Sequence, residues 1–245
     1  YTPLQKLIDF RAKLWNQLCL SGAKRVTELI VNVACYRETK STQHNLIAHS
    51  LIEDRLHDFV RKAEQHCLND LLSIFNFSDK DVAIQKIPVS NGHWQLDIFA
   101  PGILKAYGLD VGSAAAKGAA AGAGIDLMVG GMSLGAASAL GAIAGAGWST
   151  FKRYGDEIKA TVKGTQWQCA DEATVQILYL RQKHLLKDAL HVDKADSEKL
   201  PDNWKKLTST LRQNPAWQEP SVARNNNPQY QEIEAKLVGA LLDEG

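Results

Sequence analysis

Few side chains in this sequence have the type and spacing to do chemistry. Gly131-Met132-Ser133-Leu134-Gly135 spells G-x-S-x-G, the turn that lifts a nucleophilic serine above the sheet of many hydrolases. Here it lies between two apolar stretches with no evident histidine or acidic partner, so capping is the plainer role for Ser133. His44 and His49 stand five apart and His57 and His66 nine apart. No H-E-x-x-H forms among them, and Glu53 and Asp54 are not phased to complete a ligand set. His66 and Cys67 are neighbours in sequence, which on a helix places them on different faces, a poor geometry for a nucleophile and its base. Cys19, Cys35, Cys67 and Cys169 are far apart and match no zinc or redox spacing; isolated thiols of this kind suit burial in a reducing cytoplasm. No G-x-x-x-x-G-K-[ST] loop occurs. Lys117-Gly118 has the reverse order, and Asp193-Lys194-Ala195-Asp196 carries Asp where a guanine-reading motif has Asn or Thr. The expectation is a chain that is not an enzyme, with no catalytic residue, no metal and no cofactor of its own.

The elements around these residues read as helix. At 245 residues, 45% hydrophobic and 22% charged, the chain can bury a sizeable core. Its net charge of +1 gives no field that would make nucleic acid a partner. Leu4, Leu7, Ile8, Leu14 and Leu18 recur at helical spacing, with Gly22 expected to break the helix before a second segment around Val26, Leu29, Ile30 and Val33. Ile52, Leu56, Phe59, Val60, Ala63, Cys67 and Leu71 form one apolar stripe on a helix of roughly 30 residues. Glu53, Asp54, Arg61, Lys62 and Glu64 are assigned to its solvated face. Ser90-Asn91-Gly92 is a turn that would suit a minor β-hairpin. Asp171 is placed as the cap of a long helix through Val175, Leu178, Leu185, Leu186 and Ala189, and Asn227 as the cap of the final one. Pro201 and Pro228 are read as first-turn prolines. No secretory signal opens the chain, and Tyr1-Thr2-Pro3-Leu4 runs straight into a helical pattern without methionine, as an internal cut from a longer polypeptide would.

The unusual part is the middle. Residues 118 to 147 read GAAAGAGIDLMVGGMSLGAASALGAIAGAG, with Asp126 the one charge. Glycine costs roughly 0.8–1 kcal/mol against alanine in a helix, so close backbone packing must compensate. Gly118/Gly122, Gly131/Gly135 and Gly141/Gly145 are i,i+4 pairs with the small-x-x-x-small spacing that brings two helices together. A helical hairpin is expected, turning between Asp126 and Ser133, either of which would serve as turn or cap. Two settings stay open. In one, Leu127 to Trp148 spans or enters a bilayer of ~30 Å, with Tyr107, Trp148, Lys152 and Arg153 at the interface. In the other, the hairpin is the tight centre of a helical bundle. The fold class expected is therefore all-α with one minor β-hairpin, a bundle around the Ala/Gly-rich hairpin. Its parts are an amphipathic helical region (1–100), the hairpin (101–165) and a C-terminal helical region (166–245), folded as one domain.

The hairpin segment, followed by Phe151-Lys152-Arg153-Tyr154-Gly155 and the helix VQILYLRQKHLLKDALH, resembles an uncharacterised bacterial domain that follows an Era/TrmE-like small GTPase domain in the same polypeptide. The resemblance is best from about Leu96 to His191, looser across the N-terminal helices, and is not carried by the final 50 residues. It implies that GTP binding belongs to a covalently linked domain upstream of Tyr1, and that this module is its accessory or effector arm. The location implied is cytoplasmic, with peripheral or hairpin-inserted contact at the inner membrane surface. A pore-forming hairpin and a purely structural interaction module are the alternatives. The resemblance carries no catalytic residue across.

Overall fold

In the computed structural model, residues 2–40, 46–77, 89–100, 103, 125–129, 132–133, 166–190, 200–218 and 226–242 are described. The first element, α1 (Pro3–Cys35), starts where Thr2 Oγ1 accepts the Gln5 N–H (3.3 Å) and Pro3 takes the first helical position, where a missing N–H costs nothing. It runs unbroken for 33 residues, about 50 Å at 1.5 Å per residue. The break expected at Gly22 is absent. Gly22 is instead a contact: a Cβ built there would lie 2.9 Å from Leu186 Cδ2 and 3.0 Å from the Phe75 ring. The missing side chain lets two neighbouring elements close on the helix.

Strand β1 (Glu38–Lys40) follows, then α2 (Leu46–Ile74), the long amphipathic helix the stripe predicts. It lies antiparallel to α1. Arg25 Nε meets Asp70 Oδ2 at 2.5 Å near one end of the pair, and the Tyr36 and Phe59 rings stack at 3.8 Å further along. Strands β2 (Val89–Ser90) and β3 (His93–Trp94) make the small hairpin, turning through Asn91 (φ 52°) and Gly92 (φ 73°). Left-handed backbone at both central residues is the primed turn for which Asn-Gly is best suited.

Strands β4 (Ile125–Val129), β5 (Met132–Ser133) and β6 (Gln166–Ala170) join β1 in an antiparallel sheet of order β1-β6-β4-β5. This goes beyond the single minor hairpin expected, and it corrects the reading of 125–133 as the turn of a helical hairpin. Asp126 pairs with Cys169 and Ser133 with Met128 as strand positions. The reversal does fall between Val129 and Met132. The sequence Ile-Asp-Leu-Met-Val has enough strand propensity to pair once a partner strand is supplied, and β6 comes from far along the chain. Apart from these strands, the alanine- and glycine-rich segment lies outside the described residues.

Helix α3 (Glu172–Leu190) begins at the expected cap, with the Thr174 N–H donating to Asp171 Oδ1 (2.7 Å). Helix α4 (Trp204–Gln213) starts after Asn203 in left-handed backbone, so Pro201 lies outside it and is not a first-turn proline. A 3-10 turn (Pro215–Gln218) leads on to α5 (Pro228–Leu242). There Asn227 Oδ1 accepts the Gln229 and Tyr230 N–H groups, as its sequence position predicts. The fold is thus mostly helical, with five α-helices among the described residues. One core joins Ala23 to Cys35 of α1, Val60 to Leu71 of α2, Val175 to Leu186 of α3, and Trp204, Leu211, Tyr230 and Leu237. Among the described residues, no helix is long and apolar enough to cross a membrane.

Candidate functional site

Helix α3 is covered nearly all round, so its polar residues go inside with it: Arg181, Gln182, Lys183 and Lys187 are all buried. Opposite Arg181, on α2, stands Glu64. The reading of Glu64 as a solvated acid is corrected here, since it is only 4% exposed. The sequence held a sign of this, because Glu64 is four residues after Val60 and three before Cys67, on the buried stripe. Arg181 Nε lies 3.3 Å from Glu64 Oε1, and Gln182 Nε2 donates to the same oxygen at 3.5 Å. Burial is the larger influence on Glu64. It pushes the carboxyl up to about 7, against the pull of Arg181 and Gln182 and with help from the negative Asp97.

The β2–β3 hairpin closes this junction. The Arg181 guanidinium sits 4.2 Å from the Trp94 ring centroid, and its Nη2 donates to the Leu96 carbonyl (2.9 Å). A guanidinium over an indole face is a favourable cation–π pair, more so when desolvated. Asp97 then takes Arg61 Nε at 2.7 Å and the Phe99 N–H at 2.8 Å. Burial works upward on Asp97, but these two hydrogen bonds and the charge of Arg61 outweigh it and hold the carboxyl below its usual value. His57 lies against the Phe99 ring at 3.9 Å, and burial together with the Arg61 charge lowers its pKa. The hairpin segment is thus tied to α3 by the contacts of Arg181 with Trp94 and Leu96, and to α2 by the Arg61–Asp97 pair. Glu64, the acid of this junction raised toward the neutral range, is covered by its own partners.

The cysteines are structural by position. Cys35, Cys67 and Cys169 are buried, Cys19 is half-buried, and none is in a disulfide. His66 is exposed while Cys67 is buried. Among the described residues no three His, Cys, Asp or Glu side chains gather as metal ligands. The residues expected to pack the hairpin, Gly118, Gly122, Gly131, Gly135, Gly141 and Gly145, and those expected at an interface, Tyr107, Trp148, Lys152 and Arg153, lie outside the described residues.

A second feature is on the surface. The stripe Leu4, Leu7, Leu14, Leu18 continues along α1 through Gly22, Val26, Leu29 and Val33. The last four are buried, whereas the first half of the same face is uncovered. Leu4 is 66% exposed and Phe10 63%, and Leu7, Ile8, Leu14 and Trp15 are exposed too. Between the two halves Trp15 meets the edge of Phe75, ring centroids 6.3 Å apart. Beside this point is an apolar notch lined by Leu71, Leu72, Phe75, Phe77, Leu185 and Leu186, with no room for a water molecule. Helical periodicity located this stripe in the sequence, but it could not say where its cover would stop.

No curated protein and no solved structure matches the chain. A family model does, over residues 1–239, and the chain belongs to the family described as Domain of unknown function (DUF3482).

Proposed function

We propose that this chain is the non-enzymatic accessory module of a bacterial GTPase, responding to the nucleotide state of a linked domain through the uncovered half of α1. The observation that carries the reading is that one helix serves two settings. From Gly22 onward its apolar face is buried in the core, and before Gly22 the same face is exposed. A helix clamped at one end transmits displacement at the other as a rigid rod. The upstream GTPase domain is implied by the resemblance of the alanine- and glycine-rich segment and the α3 sequence. On this account that segment is a further element able to take up two states, covered by the bundle or in contact with lipid. A ligand shifts such an equilibrium only by its differential affinity for the two states.

The test is hydrogen exchange on the full-length polypeptide loaded with GTP or with GDP, joined to liposome flotation of both forms. The expected result is a nucleotide-dependent change in protection across residues 3–20 and 108–148. Identical protection and identical lipid partitioning would remove the GTPase reading and leave a structural interaction module.

A further inference from the structure

The uncovered half of α1 carries a charge that says what kind of surface fits it. Arg11 is preceded by Leu7 and Ile8, four and three residues back, and followed by Leu14 and Trp15, three and four residues on. Those are the four positions that surround a residue on one helix face, so the guanidinium rises from the middle of the apolar stripe. It is exposed, and it makes no ion pair among the described residues. Over residues 3–20 the cations Lys6, Arg11 and Lys13 face a single acid, Asp9, whose Oδ1 already accepts from Gln5 Nε2 (3.1 Å).

Three occupants could cover such a face, and Arg11 separates them. A second copy paired in parallel register would set Arg11 against Arg11. An antiparallel pair centred on the stripe from Leu4 to Leu18 would do the same at its two-fold axis. Like charges in a desolvated seam oppose that assembly. A lipid surface would take the apolar face downward, carrying Arg11 to the deepest point of the contact, where a cation is most costly. A protein groove with a carboxylate at the level of Arg11 meets both demands. Apolar walls cover the leucines and Trp15, and the carboxylate takes the guanidinium through two parallel hydrogen bonds.

We infer that residues 3–20 of α1 are a docking arm for a protein partner whose apolar groove or helix face bears a carboxylate opposite Arg11. This rests on the partner-binding part of the reading above, and it fixes the chemistry of the partner. Phe10 and Trp15 are its large apolar anchors, the residue types that dominate such contacts.

The test uses the chain as it stands and two synthetic amphipathic helical peptides with a leucine stripe. One has Glu at the position facing Arg11, and the other has Lys there. By calorimetry the Glu peptide is expected to bind about ten-fold more tightly than the Lys peptide, and Arg11→Glu is expected to reverse the order. Arg11 is exposed, so a helical spectrum equal to wild type checks that the variant folds. Equal affinity for the two peptides, or binding of neither, would overturn the proposal. So would partitioning into phosphatidylglycerol vesicles that Arg11→Glu abolishes, or sedimentation as a dimer that Leu7→Ser with Leu14→Ser returns to monomer. Peptide preference without any nucleotide effect would leave the docking chemistry standing and remove the GTPase reading. A nucleotide effect without peptide preference would do the reverse.

Discussion

Replacing Glu64 by Gln removes a titration from the core while keeping its shape, and the effect on stability should depend on pH in a defined direction. The Glu64 carboxyl is raised from 4.5 to about 7 because burial penalises its charged form more than Arg181 and Gln182 favour it. At 1.36 kcal/mol per pH unit, ionised Glu64 is about 3 kcal/mol less favourable in the folded than in the unfolded chain. A raised acid binds its proton more tightly when folded. Its stabilising contribution is therefore fully present below pH 4.5 and is lost as the pH rises through about 7. His57 works in the opposite sense. Its lowered pKa disfavours the folded state as pH falls below the unfolded value of ~6.5, and that term is common to wild type and variant. Urea unfolding at intervals between pH 5 and 8 should show Glu64→Gln near wild type at pH 5, where Glu64 is largely neutral. By pH 8 the variant should be the more stable by about 3 kcal/mol. Parallel profiles for the two proteins would refute the argument, since they would mean that Arg181 compensates the buried charge in full.

Three further outcomes follow from the packing. Gly22→Leu should cost about 3 kcal/mol or more in thermal unfolding, whereas Gly22→Ala should lose only about 1 kcal/mol, because a gain in helix propensity of similar size offsets part of the overpacking; a Leu variant melting with wild type would show that α1 has slack at Phe75 and Leu186. Gly92→Ala should cost about 1 kcal/mol from backbone strain, since nothing lies within 4 Å of the new methyl, and an unchanged denaturation midpoint would disprove the left-handed turn. In thiol titration of the native chain, half-buried Cys19 should react first. Cys67, whose thiol burial pushes far up, should react at the rate of unfolding along with Cys35 and Cys169; prompt modification of Cys67 would contradict its place in the core.

What the sequence made legible was local. Asp171 and Asn227 announce helix starts because a short polar side chain before an apolar stripe has one strong use there. Asn91-Gly92 announces its turn because few other pairs adopt that backbone. What escaped depended on partners distant in the chain. A glycine within a helical stripe is either a break or a close approach, and only the arrival of Phe75 and Leu186 makes Gly22 the second. Glu64 reads as solvated from sequence because an acid is buried only with a partner, and its partner Arg181 lies on another helix. Ile125–Val129 reads from sequence as running into the turn of a helical hairpin because its neighbours are alanine and glycine. Its pairing with Gln166–Ala170 is a tertiary event that no local propensity encodes. The uncovered half of α1 reads from sequence as amphipathic helix, but the level at which its cover ends is a property of the assembled bundle.

Coupling of the α1 arm to nucleotide state must show reciprocity. If nucleotide changes how the arm is held, then disabling the arm must change nucleotide affinity by the same factor. The measurement is the ratio of GTP to GDP affinity in the full-length polypeptide, wild type against Leu7→Ser with Leu14→Ser. Both positions are exposed, so the module itself stays folded. A shift in the ratio of about five-fold or more is expected. A ratio equal to wild type would contradict the coupling.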